Sequence, residues 1–303
     1  MAIIRERVTG EMGSESLRTP PESKTGAPIL CGLIGMDIQS SRSPAMHMGE
    51  ADRQGLRLVY CLYDLSLHKD RDSALPGMLD AVEACGFSGV NITHPFKQKV
   101  IPLLDELSEE ATAIGAVNTV LFRDGRRIGH NTDWSGFAES LSRQLPDADL
   151  AHVVQIGAGG AGAATAMAML RLGCRELVIA DKNEAVARAL VERLDANAPA
   201  GVEVRLAGAD RAAEIARAGG LINATPLGME GHPGMPVEAA WLRTGLWVAD
   251  VVYFPLETEL LKSARALGCA TAHGGEMAIF QAARAFDLFT GRQADRMRMV
   301  ENF

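Results

Sequence analysis

The sequence predicts an α/β protein with two domains, because short apolar segments alternate with longer amphipathic segments in two separate runs. The first run begins near residue 27, and the second extends from about residue 150 to about residue 272. A glycine-rich segment follows the first strand of the second run, which indicates a parallel Rossmann sheet there. The length of 303 residues suits two domains of about 100–200 residues each.

Composition indicates a globular protein and argues against some partners. Apolar residues make up 47% of the chain and charged residues 22%, which is a soluble profile with enough apolar material for the cores. The formal net charge of −8 argues against nonspecific binding to nucleic acid. Five scattered cysteines without a Cys-x-x-Cys pair predict reduced thiols in a cytoplasmic protein and no metal site.

Two segments raise the question of targeting. Residues 1–26 contain no long apolar run and no small-residue cleavage site, so we interpret them as a flexible tail and not as a signal peptide. Residues 153–170 approach the length of a membrane span, but their glycines and the polar Gln155 and Thr165 favour a strand, a loop and a helix. We therefore expect no membrane association.

The first run predicts a mainly parallel sheet with helices on both faces. Strands are expected at residues 28–35, 58–65 and 87–93, and helices at 43–55 and 74–86. This alternation is typical of strands joined by helical crossovers.

A hairpin is predicted where that alternation stops. Asp-Gly at 124–125 separates two strand-like runs and is a strong signal for a tight turn. With these two residues as the loop, Asn118 faces Asn131, and Asp133 lies at the same end. The turn therefore brings Asn118 and Asp133 together.

Two helices frame the second run. Residues 134–145 are predicted as a connecting helix. Residues 277–291 show the spacing of an amphipathic helix that ends at Gly291, a residue suited to a C-cap.

The glycine-rich segment has the spacing Gly157-x-Gly159-x-x-Gly162 between a predicted strand and a predicted helix. This context favours a dinucleotide, whose pyrophosphate would lie at the helix N-terminus; the alternative is a packing turn without a ligand. Asp181 ends the next predicted strand. An acid there accepts hydrogen bonds from a ribose diol and repels a 2′-phosphate, which favours NAD over NADP. The neighbouring Lys182 acts against that preference.

Two further features are ambiguous when each is taken alone. Asn223, Thr225 and Pro226 end another predicted strand, where a cofactor crevice is expected, but they also suit a polar turn. Ser41 and Ser43 precede the helix that opens at Pro44. They suit a carboxylate, but taken alone the position of Ser43 before Pro44 favours an N-cap.

Lys97 follows a proline turn at the end of an apolar strand. It is compatible with a solvated lysine and with a cation aimed into a cleft. The residues around it leave both readings open.

Eight motifs occur together in one order along the chain. They are S-x-S-P-x-x-H (41–47), N-x-T-x-P-x-K (91–97), A-V-N-T (116–119), N-T-D (131–133), G-A-G-G-A-G (157–162), N-A-T-P-x-G-M (223–229), D-x-x-Y-x-P-x-x-T-x-L-L (250–261) and M-x-x-x-Q-A (277–282). Over about residues 28–291 the chain therefore resembles the shikimate/quinate dehydrogenase family.

The resemblance implies a domain plan and a reaction. The plan is a substrate-binding catalytic domain at 27–133, a Rossmann NAD(P)-binding domain at 134–272, and a C-terminal helix at 273–303 that returns to the first domain, with the active site in the cleft. The reaction is the reversible reduction of 3-dehydroshikimate to shikimate, or the same exchange between 3-dehydroquinate and quinate. It would serve aromatic amino acid biosynthesis or quinate catabolism. The expected partner is a small carboxylated polyol, bound by a monomer or a homodimer.

The resemblance also implies roles for individual residues. Lys97 and Asp133 match the catalytic pair. Positions that match substrate-binding groups are Ser41, Ser43, Thr93, Asn118, Asp133, Tyr253 and Gln281. Positions that match cofactor-binding groups are Gly157, Ala158, Gly159, Gly160, Ala161, Gly162, Asp181, Asn223, Thr225, Pro226, Met229, Gly274 and Met277.

Individual residues resemble two different branches of that family. His94 before Pro95, and Asp181 at the ribose position, resemble the NAD-dependent branch that accepts quinate as well as shikimate. Ser43 instead resembles shikimate-specific members. Two other functions remain as alternatives: a folate-type dehydrogenase with a similar domain plan, and a module that senses NAD without turnover.

Overall fold

The structure, a computed structural model, describes residues 28–67 and 73–301. The predicted tail at residues 1–26 lies outside the described residues. The described chain divides into two compact units. We call residues 28–132 with 281–301 the N-terminal unit, and residues 133–280 the central unit.

The N-terminal unit begins with alternating strands and helices, as the sequence predicts. Its elements up to residue 132 are β1 (Ile29–Gly35), α1 (Ser43–Arg53), β2 (Leu58–Asp64), α2 (Ala74–Ala84), β3 (Gly89–Ile92), β4 (Glu106–Leu107), α3 (Glu109–Ile114), β5 (Thr119–Arg123) and β6 (Arg126–His130). Short 3₁₀ turns occur at Leu65–Leu67 and Ile101–Leu103.

These strands form one mixed sheet in the order β2-β1-β3-β5-β6-β4. Strand β1 pairs in parallel with β2 and β3, and β4 pairs in parallel with β6. Strand β5 is antiparallel to both β3 and β6. The pairing of β5 with β6 is antiparallel because two residues join these strands, which leaves no room for a helical crossover.

The hairpin has the predicted register. Arg123 pairs with Arg126, and Thr119 pairs with His130. Asp124 and Gly125 both have positive φ, 52° and 71°, as a two-residue turn that matches the twist of the strands requires. The Asp-Gly signal is therefore confirmed.

Apolar strands and the inner face of α2 form the core of this unit. Ile34, Val90 and Val120 have no exposed surface, and Leu75 and Leu79 of α2 belong to the same cluster. Strands covered on both faces become continuous apolar runs rather than alternating ones, which is why β1 reads Ile-Leu-Cys-Gly-Leu-Ile.

The central unit contains a parallel sheet of the Rossmann type. Its elements are α4 (Asp133–Gln144), β7 (His152–Ile156), α5 (Gly160–Leu172), β8 (Glu176–Ala180), α6 (Glu184–Asp195), β9 (Glu203–Leu206), α7 (Arg211–Arg217), β10 (Gly220–Asn223), β11 (Trp247–Asp250), α8 (Glu259–Ala266), β12 (Thr271–Ala272) and α9 (Gly275–Thr290). The strand order is β12-β11-β10-β7-β8-β9, with parallel pairing throughout. Read from the other edge and numbered within the unit, this is the order 3-2-1-4-5-6 of a doubly wound sheet.

That strand order determines where a ligand can bind. Strands β7 and β10 are neighbours in the sheet. After β7 the chain continues to β8 on one side, and after β10 it continues to β11 on the other side, so the loops that follow these two strands diverge at this switch point. Ligands of open parallel sheets bind at this point, outside the carboxyl ends of the strands.

The division between the units lies within α9, after residue 280. The rest of α9 and α10 (Arg296–Glu301) belong to the N-terminal unit. Helix α9 ends before Gly291, whose φ of 70° and hydrogen bond to the Asp287 carbonyl confirm the predicted cap. Glu50, 2% exposed, accepts hydrogen bonds from Arg298 and so fastens α10 to α1.

Within residues 28–67 and 73–301, no helix combines the length and apolar character that a membrane crossing requires. In the same ranges, no three His, Cys, Asp or Glu side chains gather in an arrangement that could hold a metal ion. All five cysteines are free thiols.

Candidate functional site

The glycine loop lies at the carboxyl end of β7 and is closely packed against the next loop of the sheet. Gly157 has a φ of 109°, and a Cβ at this position would lie 2.6 Å from the Ala224 carbonyl oxygen. Only glycine combines that backbone angle with that proximity. Its turn allows α5 to begin at Gly160, with Gly159 as the N-cap residue.

The N-terminus of α5 is open for a ligand. No side chain caps it, and a Cβ on Gly159 would meet no atom within 4 Å. The first turn of a helix has amides without intrahelical partners and a partial positive charge. Gly157 to Gly162, with Ala158 and Ala161 among them, therefore form an arrangement that can bind a pyrophosphate.

Two buried polar residues outside the glycine motif, for which the sequence predicts no role in ligand binding, hold this loop in place. The Gln155 side chain donates to the carbonyls of Gly157 and Gly162, at 2.9 and 2.8 Å. Thr165 donates to the Gln155 side-chain oxygen at 2.8 Å. Both residues are fully buried. Their position in an apolar window was the only sequence signal for this role.

Asp181 follows β8 directly and contacts the glycine loop. Its carboxylate accepts hydrogen bonds from the amides of Ala158 and Asn183, both at 2.8 Å. Two cations lie near it: Lys182 is exposed, and Arg211 donates to the Asp181 carbonyl at 3.2 Å. An acid and two cations therefore surround the position expected for the ribose.

The loops after β10 and β11 share a buried hydrogen-bond network. Asp250 accepts from the Asn223 side chain at 2.9 Å, from the Val252 amide at 3.0 Å and from the Thr258 hydroxyl at 2.8 Å. The oxygen of the Asn223 side chain accepts from the amide and hydroxyl of Thr225. Asp250 thus supports the turn that continues to Pro226 and Met229.

The environment of Asp250 shifts its ionisation. Only 1% of its surface is exposed, and burial raises the pKa of this carboxyl from 3.8 to about 6, against the lowering effect of its three donors. The support of both loops therefore depends on a group that titrates near neutral pH.

The segment at the start of α9 contacts the loop that follows β11. A Cβ on Gly274 would lie 2.2 Å from the Val251 carbonyl oxygen, so the two backbones touch. The Gln144 side chain exchanges hydrogen bonds with the backbone of His273 at 3.0 and 3.1 Å. Met277 in α9 is buried, whereas Tyr253 in the loop after β11 is 53% exposed.

In the N-terminal unit, Ser41 and Ser43 contact each other at the start of α1. The Ser41 hydroxyl lies 3.2 Å from that of Ser43 and accepts from the Ser43 amide at 3.3 Å. The N-cap residue is Arg42, without a side-chain cap, and Ser43 lies inside the helix. The capping alternative for Ser43 is therefore wrong, because proline fits more than one position of the first turn and does not identify the cap.

Tyr60 connects these serines to the next strands of the sheet. Its hydroxyl hydrogen-bonds Ser43 and donates to the Asn91 side-chain oxygen at 2.7 Å. Burial raises the pKa of Tyr60 well above its usual value, so it remains a donor. Its ring stacks on the buried His47 at 4.5 Å, and burial lowers the pKa of His47 to about 3. Tyr60 was missed because only the folded sheet brings it next to Ser43.

Asn118 lies at the centre of this network. Asn91 donates to the Asn118 carbonyl and to the Thr119 hydroxyl, at 3.2 and 3.0 Å. The Asn118 side-chain oxygen accepts from the Thr132 amide at 2.7 Å. Its amide nitrogen donates to the Thr132 hydroxyl at 2.9 Å and to the Gln281 side-chain oxygen at 3.3 Å.

The remaining predicted residues are attached to this scaffold through the backbone. The Thr93 amide donates to the Ile34 carbonyl at 3.0 Å, and the Lys97 carbonyl accepts from the Val117 amide at 2.8 Å. Thr93 and Lys97 are both partly exposed. Asp133 directly follows Thr132, opens α4 and is 6% exposed.

The parallel sheet, the glycine loop and the acid after the second strand define an α/β dinucleotide-binding protein. Residues 33–120 match the family description "Shikimate dehydrogenase substrate binding domain". A shikimate dehydrogenase (NADP+) of Streptomyces avermitilis is 52% identical over 271 residues, which are 89% of this chain and 93% of that protein. A quinate/shikimate dehydrogenase (NAD+) of Corynebacterium efficiens is 49% identical over 280 residues, which are 91% of this chain and 97% of that protein.

A solved structure agrees with these relatives. Quinate dehydrogenase from Corynebacterium glutamicum in complex with NAD has a TM-score of 0.85 and 48% identity to this chain, covering 91% of it and 99% of that protein. The chain belongs to the shikimate/quinate dehydrogenase family. It is an NAD(P)-dependent oxidoreductase, as the sequence resemblance implied.

Asp250 predicts a specific dependence of stability on pH. Because its folded pKa, about 6, exceeds its usual value of 3.8, the folded protein holds more protons than the unfolded chain between these values. The free energy of unfolding should therefore fall as pH rises through this window, by roughly 3 kcal/mol for a shift of about two units.

The measurement is urea unfolding of wild type and Asp250→Asn between pH 4 and pH 8. The amide resembles the protonated carboxyl, and the comparison removes opposite contributions such as that of Glu214, whose pKa the Arg205 guanidinium lowers to about 2. Wild type should lose stability relative to the variant as pH rises. Parallel pH profiles for the two proteins would contradict the assignment.

Proposed function

We propose that the protein reversibly reduces 3-dehydroshikimate to shikimate, and also oxidises quinate to 3-dehydroquinate, with NAD as the preferred cofactor. The observation that carries the proposal is the continuous hydrogen-bonded path from Ser41 and Ser43 through Tyr60 and Asn91 to Asn118. This path holds two hydroxyls and an amide in one fixed arrangement. A rigid carboxylated polyol needs such an arrangement, with separate groups for its carboxylate and its ring hydroxyls.

The proposed binding roles follow from the chemistry of each side chain. The hydroxyls of Ser41 and Ser43 donate to the substrate carboxylate, and the nearby N-terminus of α1 favours a negative charge. Thr93 and Tyr253 complete the carboxylate side. The ring hydroxyls are held by three further side chains, which are Asn118, Asp133 and Gln281.

Lys97 is the proposed acid and base. A bound nicotinamide would supply hydride to the substrate ketone, and negative charge would then develop on the ketone oxygen. The Lys97 ammonium stabilises that charge and donates the proton, and the amine accepts a proton in the oxidative direction. The Asp133 carboxylate holds the ammonium in position.

For the cofactor, we propose that residues 157–162 bind the pyrophosphate and that Asp181 accepts from the adenosine ribose. The short bond between Asp181 and Ala158 supports this, because it places the acid beside the phosphate loop. Further cofactor contacts are assigned to Asn223, Thr225, Pro226, Met229, Gly274 and Met277. The relatives include proteins named for NADP and for NAD. The two cofactors differ in the 2′-phosphate of the adenosine ribose, and we propose that the charge around Asp181 selects between them.

The domain assignment is part of the same proposal. We assign substrate binding and catalysis to residues 27–133, dinucleotide binding to residues 134–272, and completion of the first domain to residues 273–303, of which residues 281–301 group with the N-terminal unit in the structure. We further propose that the protein acts in the cytoplasm, as a monomer or homodimer. The five free thiols support that compartment.

Initial rates on purified protein test the function directly, with shikimate and quinate each assayed with NAD and with NADP. We expect turnover of both substrates, with kcat/KM for NAD at least about tenfold above that for NADP. Turnover of shikimate alone with NADP would contradict the quinate and NAD assignments. Binding of NAD without turnover of either substrate would instead favour the sensing alternative.

Replacement of Lys97 tests the proposed chemistry. Lys97→Ala removes the proton donor and the positive charge, so kcat should fall by about 10²–10⁴-fold with shikimate. The control is Lys99→Ala, which removes an exposed lysine of the same segment and should retain wild-type turnover. A folded Lys97→Ala variant with near-normal kcat would refute the acid and base role.

Replacement of Asp181 tests the cofactor assignment. Asp181→Ser removes the charge that repels a 2′-phosphate and leaves Lys182 and Arg211 in place. The ratio of kcat/KM for NADP to that for NAD should rise by about tenfold or more. Asp195→Ser removes an exposed charge elsewhere in the central unit and should leave the ratio unchanged. An unchanged ratio in Asp181→Ser would show that the acid does not select the cofactor.

A further inference from the structure

We propose that Asp64 is the positioning residue of the serine loop, residues 36–42, and thereby sets the affinity for the substrate carboxylate. The inference rests on the proposed function, because it takes Ser41 and Ser43 as the carboxylate-binding hydroxyls. Asp64 lies outside all eight sequence motifs. It ends β2, while the serine loop follows β1, so the pairing of these two strands brings them together.

The Asp64 carboxylate holds three consecutive residues of the serine loop. Its Oδ1 atom accepts from the Asp37 amide at 3.0 Å. Its Oδ2 atom accepts from the Ile38 amide at 3.2 Å and from the Gln39 side chain at 3.1 Å. A single charged group thus determines the path of the chain immediately before the serines.

Asp64 is itself rigidly held and remains ionised. The hydroxyl and the amide of Ser66 donate to Oδ1 at 2.7 and 3.0 Å. With five donors, the roughly four lone-pair positions of a carboxylate are fully used. The Ser66 hydroxyl and the other donors lower the pKa of Asp64 to about 2, and the residue is 7% exposed.

The loop conformation depends on this anchor. Asp37 has a φ of 55°, a left-handed conformation that aspartate tolerates in turns, and its amide is held in that turn by the Asp64 carboxylate. The Ser41 amide donates to the Ile38 carbonyl at 2.9 Å. A displacement of Ile38 would therefore move Ser41. It would also move Ser43, because the two serines are hydrogen-bonded to each other.

The other end of the serine loop is attached to the segment that carries Thr93 and Lys97. The Met36 amide donates to the His94 carbonyl at 3.0 Å. The hydrogen bond of Met36 fixes the start of the serine loop. Asp64 holds the following residues, 37–39, which lead to the serine hydroxyls. Asp64 occupies the amides of Asp37 and Ile38, and the hydroxyls of Ser41 and Ser43 that we propose as carboxylate donors follow further along the chain.

The experiment replaces Asp64 with its closest isostere. Asp64→Asn keeps the shape but places an N–H₂ group against the loop donors, so at least one loop bond is lost. The KM for shikimate should rise about tenfold, with kcat and the KM for NAD changed less than about twofold, since uniform binding is what is lost. The control is Asp287→Asn, which removes another buried carboxylate of the N-terminal unit that accepts a loop amide, that of Ala294. It should lower stability and leave the KM for shikimate unchanged.

Two further readouts separate positioning from general destabilisation. In a Ser41→Ala background, the effect of Asp64→Asn on KM should shrink to less than about threefold, because residues that act through one another are not additive. Amide hydrogen exchange at residues 37–39 should accelerate in Asp64→Asn and stay at the wild-type rate in Asp287→Asn.

Full additivity with Ser41→Ala, or unchanged exchange at residues 37–39, would overturn the proposal. Lack of turnover by wild type with both substrates would instead refute the proposed function. In that case the exchange measurement still decides whether Asp64 anchors the loop.

Discussion

The arrangement of segments around the proposed substrate site in the N-terminal unit depends on the hydrogen bonds of the buried Asn118 side chain. Its oxygen accepts from the Thr132 amide, its nitrogen donates to Thr132 and Gln281, and its backbone joins β3 to the β5–β6 hairpin. A buried amide is favourable only when it is hydrogen-bonded, and each unsatisfied group costs about 1–3 kcal/mol. Asn118 therefore requires three distant segments to meet in one geometry, and these segments carry most of the proposed substrate-binding residues.

In the central unit, other buried polar side chains hold the loops at the proposed ligand-binding edge. Parallel strands end at one edge of a sheet, where the chain must turn and its backbone groups lose their ladder partners. Gln155 bonds the carbonyls of the glycine loop, and Asn223 with Asp250 braces the next two loops. These side chains contact backbone and each other, so they shape the ligand-binding edge. Rigid support of this kind lets nearby groups hold a ligand without reorganisation.

Local chemistry explains which features the sequence predicts well. The hairpin register depends on Asp124 and Gly125 alone, and the glycine loop depends on a strand and a helix adjacent in sequence, so both were correctly predicted. Tyr60 and Asp64 were missed because their partners lie in elements distant in sequence, and only strand order brings them together. The partners of Gln155 lie within ten residues, and its polar side chain in an apolar window was the only local signal. The cap of α1 was wrong for the opposite reason: the local signal at Pro44 is compatible with more than one helix start.

Two carboxylates at the ends of parallel strands show how supporting loops acquire different pH responses. Asp64 ends β2 and receives five hydrogen bonds, and its pKa is lowered to about 2. Asp250 ends β11, receives three, and is buried to 1% exposure, so its pKa is raised to about 6. In the first case the donors outweigh burial, and in the second burial outweighs the donors. Mild acid therefore protonates Asp250, which favours the folded state, while the Asp64 carboxylate stays charged. The carboxylates that support the loops of the two units thus titrate in different pH ranges.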